Sequence, residues 1–113
     1  MPGTRYAPGR YDWIVTRGDT VPEVDFNLTL DGSPWTVDSA VAQVRSGPTR
    51  GSTLVLTLTD VVATGKVTIG GNQLTSTLPG DYFWDLEVTD GTDVTTIVAG
   101  KFTVLNDITH VTP

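Results

Sequence analysis

The sequence predicts an all-β protein, a two-sheet antiparallel Greek-key sandwich of about seven or eight strands. Three observations carry this. Apolar and polar residues alternate with period two along most of the chain, as in Val24-Asp25-Phe26-Asn27-Leu28-Thr29-Leu30. Twelve Gly and seven Pro break the 113 residues into short segments. Lys and Glu total four (Lys66, Lys101, Glu23, Glu87), while Thr and Val abound, which is strand chemistry rather than helix chemistry.

Taken in order, Tyr11, Trp13 and Val15 predict a first strand ending at Arg17-Gly18-Asp19. Val24 to Leu30 predicts a second, with Pro22 before it, where no ladder bond is lost, and Asp31-Gly32-Ser33-Pro34 turning it. Ala40, Ala42 and Val44 predict a third, and Leu54, Leu56 and Leu58 a fourth. Val67 and Ile69 form a fifth, with Gly70-Gly71-Asn72 read as a tight hairpin into Leu74–Leu78. Tyr82, Trp84, Leu86 and Val88 point inward on the next. The last strand is expected to place Val94, Thr96, Val98, Gly100, Phe102 and Val104 on one face. A single sheet would leave this apolar surface wet, so two facing sheets are required.

Leu78-Pro79-Gly80-Asp81-Tyr82 has the chemistry of a tyrosine corner. Pro79 and Gly80 turn the chain and Tyr82 lies across it, bonding its hydroxyl to nearby backbone, as in immunoglobulin-like sandwiches. There is no cysteine, which excludes disulfides and thiolate metal sites and argues against a true antibody-type domain.

Length allows one domain: a body at 11–107, an extended N-terminal arm at 1–10 rich in Pro and Gly, and a C-terminal tail at 108–113. The net charge is -6. Residues 1–20 carry Arg5, Arg10 and Arg17 against Asp12 and Asp19, while the rest holds four basic and eleven acidic side chains. Such a balance argues against nucleic acid or anionic membrane as partner. It permits head-to-tail docking of copies, and equally a plain solvated acidic surface. No apolar run suits a membrane helix or a signal peptide, so cytoplasmic synthesis without export is expected.

Candidate chemistry is sparse. His110 is the only histidine and stands close to the chain end, so no triad or histidine zinc site is expected. Asp85 and Glu87 share a strand face at roughly 7 Å, a spacing a glycosidase could use and a solvated face explains more simply. Asp81, Asp90 and Asp93 sit near turns, where calcium ligation competes with ordinary turn chemistry. Arg17-Gly18-Asp19 matches an adhesion tripeptide and Asn27-Leu28-Thr29 a glycosylation sequon, and both read better as turn and strand. No catalytic residue, metal or cofactor is assigned. Trp35, Tyr6 or Trp13 would form the platform of a carbohydrate-binding module if exposed, against core packing as the simpler reading.

Apolar residues on apparently outward faces are more informative. Phe83 alternates out of register with Trp84, and Ile97 is a possible cross-strand neighbour. Val41 and Val55 extend the surface, and Arg5, Tyr6 and Arg10 would let the arm dock on a neighbouring subunit. These seven are the interface candidates.

Ile14–Thr20, Phe26–Gly32, Val41–Arg45, Leu78–Val88 and Gly100–Val104 follow one another in an order and spacing similar to a known family. The chain resembles the immunoglobulin-like N-terminal domain of phage upper baseplate proteins and related small tail- or fibre-associated proteins. The resemblance implies a bacteriophage virion structural protein of the tail, baseplate or fibre-attachment region. Such a protein would be multi-copy, with homo-oligomers allowed, would dock on other virion proteins, and would have no catalysis and no cofactor. Members often continue into collagen-like, helical or receptor-binding segments; with this chain ending at Pro113, a stand-alone adaptor is expected. Capsid decoration is the alternative placement.

Overall fold

A computed structural model describes residues 9–49, 51–74 and 77–106. Its elements are strands: β1 (Gly9–Arg10), β2 (Trp13–Thr16), β3 (Val24–Asn27), β4 (Thr29–Leu30), β5 (Ser33–Pro34), β6 (Ser39–Arg45), β7 (Leu54–Leu58), β8 (Asp60–Ala63), β9 (Lys66–Ile69), β10 (Gly80–Asp90) and β11 (Asp93–Leu105). Eight of them have four or more residues. The large sheet runs β1-β11-β10-β6-β7, with β2 also on β11, and the small sheet runs β3-β9-β8. β4 and β5 form a separate short hairpin.

The protein is thus the all-β sandwich that the alternation predicts. The chain passes from β3 to β6 and β7, back to β8 and β9, and again to β10 and β11. β9 returns beside β3, and β10 beside β6. This is Greek-key connectivity with the strand order of immunoglobulin-type sandwiches. Not every pairing is antiparallel: β1 and β2 both run parallel to β11.

The inner faces meet in one core. Ala42 and Val44 from β6, Trp84, Leu86 and Val88 from β10, and Phe102 and Val104 from β11 pack in a cluster with Val67 and Ile69 of β9. Trp13 and Trp84 meet edge-on within it, centroids 5.6 Å apart, and exposed Tyr11 sets its ring edge-on against both and against Phe26. Edge-on geometry sets the positive rim of one ring on the negative face of the next.

Two local devices hold the sheets in place. Where the chain crosses from β7 to β8, the Thr59 amide donates to Asn72 Oδ1 at 2.8 Å and Asn72 Nδ2 donates to Thr57 O at 3.3 Å. At the other edge, Gly100 lets the first segment approach β11. A Cβ at Gly100 would overlap the Tyr11 carbonyl oxygen. That oxygen accepts from Trp84 Nε1 at 2.7 Å, and Asp12 Oδ1 accepts from the Lys101 amide at 2.9 Å.

Several expected details are corrected. The second strand does not run unbroken to Leu30. It stops at Asn27, Leu28 turns inward with its amide bonded to Gly65 O, and Leu30 is left exposed on β4. Gly70-Gly71-Asn72 is not the turn of a hairpin. Both glycines have positive φ, and their amides bond Thr59 O and Val21 O, tying the segment to the β7–β8 connection and to the stretch that precedes β3. The hairpin partner of β9 is β8, which the sequence reading missed. Leu74, Thr77 and Leu78 are not in strands, and Thr75 and Ser76 lie outside the described residues. Finally, the last strand does not keep one face. A bulge at Ile97 pairs Leu86 with Val98 but Glu87 with Thr96, so Thr96 and Val94 lie on the outer face.

Candidate docking face of the large sheet

β6, β10 and β11 are hydrogen-bonded neighbours, and period-two alternation sends every second residue of each to the outer face. The register sets these residues in rungs. Arg45, Phe83 and Lys101 form one; Gln43, Asp85 and Ala99 the next; Val41, Glu87 and Thr96 the third; Ser39, Thr89 and Val94 the fourth. The first three rungs and Arg10 line an open groove of about 630 Å³. Phe83 lies between two cations, where its ring face and the long basic side chains can share apolar cover.

Hydrogen bonds fix the walls. Arg45 donates from Nη1 to Ser52 O at 2.8 Å and from Nη2 to Gln43 Oε1 at 2.9 Å, which holds the guanidinium between those two residues. Opposite, Arg10 pairs with Asp12 at 3.3 Å. The Lys101 amide, donating to Asp12 Oδ1, holds that carboxyl below its ordinary pKa. Desolvation opposes this, and the Arg10 hydrogen bond and charge reinforce it. Asp85 and Glu87 are both partnered within the chain.

Of the interface candidates, Arg10, Val41 and Phe83 meet in this groove. Val55 and Ile97 do not: each is half-buried against the core. Phe83 lies opposite Lys101 and not Ile97, which is the bulge residue and lines a second groove of about 470 Å³ with Phe26 and Trp35. Arg5 and Tyr6 lie outside the described residues, as does His110. The expected arm at 1–10 overlaps β1, whose Gly9 and Arg10 pair with Val98 and Ala99. The flanking cations Arg45 and Lys101 were missed. The signal that finds them is cross-strand register, which alternation within one strand does not supply.

Pro79, Gly80 and Tyr82 make the corner, with Tyr82 Oη donating to Leu78 O at 2.6 Å. The three turn aspartates do not converge. Asp81 accepts from Thr103 Oγ1 at the start of β10, while Asp90 and Asp93 stand at its far end, roughly 30 Å away by strand rise. Among the described residues no group of three His, Cys, Asp or Glu is arranged to hold a metal ion. Arg17-Gly18-Asp19 is a turn, with the Asp19 amide on Thr16 O. Asn27 ends β3 beside buried Leu28. Trp13 is 2 % exposed and offers no sugar platform, and half-buried Trp35 donates its Nε1 to Asp90 Oδ2 at 2.9 Å.

Compared with known proteins, the chain matches no family model and no curated sequence.

Proposed function

We propose that this chain is a bacteriophage virion structural module of the tail, baseplate or fibre-attachment region, acting by docking to other virion proteins rather than by catalysis. The carrying observation is the outer rung Arg45–Phe83–Lys101, an aromatic side chain framed by two cations on an open sheet face. Aromatic and Arg side chains at the centre of an open face suit a protein interface. The resembling stretches Val41–Arg45, Leu78–Val88 and Gly100–Val104 build this face, which adds support.

Cryo-electron microscopy of the intact particle tests the reading. Density for the sandwich is expected at repeated positions in the tail or baseplate, with the Phe83 face against a neighbour. Density on the head shell instead selects capsid decoration. A chain absent from the particle, or present with the Phe83 face bare, overturns the proposal.

A further inference from the structure

One side of β11 pairs with β10 from Asp93 to Val104. The other side pairs with β1 at Val98 and Ala99 and with β2 from Phe102 to Leu105. Among the described residues, nothing pairs with that second side between Asp93 and Ile97. Folded proteins cover or blunt an open ladder edge of this kind.

The chain itself leads to the edge. Gly9, where β1 begins, stands in the wall of the second groove with Phe26, Trp35 and Ile97. Because β1 runs parallel to β11, the direction upstream from Gly9 points along the open edge toward Asp93. Eight residues precede Gly9, Met1-Pro2-Gly3-Thr4-Arg5-Tyr6-Ala7-Pro8. At strand rise they reach roughly 26 Å, against roughly 16 Å of open edge.

We infer that residues 4–8 lengthen β1 along the open β11 edge of their own molecule and cover the second groove from the side. Hydrogen-bond parity supports this. The Tyr11 amide donates to Ala99 O, and in a parallel ladder alternate residues bond the neighbour, so Gly9, Ala7 and Arg5 bond toward β11. Pro8, which has no N–H, falls on the solvent side, where an edge strand tolerates it. Facing and length agree. Arg10 lines the outer groove and Gly9 the second, so alternation puts Ala7 and Arg5 on the inner face and Tyr6 on the outer. From Leu86 to Asp90, β10 takes four steps to follow β11 from Val98 to Asp93 across the bulge, and four steps upstream of Gly9 end at Arg5.

Arg5 thereby meets Asp93, and Tyr6 covers Val94, which is 61 % exposed. Asp93 stands opposite Asp90, whose Oδ2 accepts from Trp35 Nε1, and among the described residues Asp93 has no ion-pair partner. The Arg5 charge sets the register more than it adds stability. The inference is independent of the docking reading above, which concerns the Phe83 face.

Hydrogen exchange of the purified chain, followed amide by amide by NMR, tests this. The Ala7 and Arg5 amides are expected to exchange at least about tenfold more slowly than the Tyr6 amide, relative to their intrinsic rates, at every protein concentration. Uniformly fast exchange at all three overturns the inference. So does protection that fades on dilution, which marks an arm lent to a neighbouring copy. A disulfide trap gives a second readout, since the chain has no cysteine. Adjacent strands lie about 4.8 Å apart, within disulfide reach. Ala7→Cys combined with Thr95→Cys is expected to close within the monomer at least about tenfold faster than Ala7→Cys combined with Thr57→Cys on β7, the far edge of the sheet. Thermal unfolding checks that both pairs fold. Equal closure rates, or a cross-linked dimer as the main product, overturn the inference. Neither readout depends on whether the chain belongs to a particle, so the virion reading stands or falls separately.

Discussion

Trp84 Nε1 donates to the carbonyl oxygen of Tyr11 at 2.7 Å, across 73 positions of sequence. The bond ties the first segment of the described chain to the middle of the large sheet, at a tryptophan only 3 % exposed. Trp84→Phe removes the donor, strands a part-buried carbonyl and opens space beside Trp13. A loss of about 2–4 kcal/mol is expected in urea unfolding, with the native far-ultraviolet spectrum retained below the transition.

Gly100→Ala tests the same junction from the other side. The added methyl overlaps Tyr11 O and Asp12 Oδ1, and Tyr11 O is backbone, so the first segment must move away from β11. A cost of about 1–3 kcal/mol is expected. Hydrogen exchange should quicken at the Lys101 amide, whose acceptor is Asp12, before it quickens at the β6–β10 ladder.

Tyr82→Phe keeps the ring and deletes the hydroxyl that reaches Leu78 O. Because the bond is exposed, water can replace it at the carbonyl. The expected loss is about 1 kcal/mol, read as a lowered denaturation midpoint with an unchanged slope.

Asp60 and Asp12 should give opposite pH effects. Desolvation raises the Asp60 pKa at the start of β8. The folded state then holds that proton more tightly, and stability falls as pH rises from about 4 through the raised value. Asp60→Asn is therefore expected to stabilise at neutral pH, with the gain fading in acid. The folded pKa of Asp12 is lowered, so its contribution is present above about 4 and is lost as pH falls through the lowered value. Asp12→Asn should flatten the acid limb of the stability profile; a stability profile shifted equally at all pH values counts against both assignments.

Much of this fold was legible in the sequence because alternation and turn residues are local signals. The inward set Trp84, Leu86 and Val88, and the corner at Tyr82, need only neighbours a few residues away. What escaped depends on distant partners. The Ile97 bulge exists because β10 and β11 slip by one residue, and nothing in Thr95-Thr96-Ile97-Val98 announces it. Gly70-Gly71 looked like a hairpin turn, since positive φ serves a turn and a crossing connection alike. The candidate face was half legible: Phe83 and Val41 stand out by alternation, whereas Arg45 and Lys101 become its walls only once three strands are in register.

Because β1 and β2 run parallel to β11, the described chain enters the sandwich at Gly9 and leaves at Leu105 roughly 20 Å further along the same edge. Tension applied between those two points pulls the outer strands lengthwise past β11. The two pairs of β1 and four of β2 then share the load together, instead of opening one after another. In this geometry the edge joining first strand to last resists stretching cooperatively, a mechanical property suited to a part held under strain.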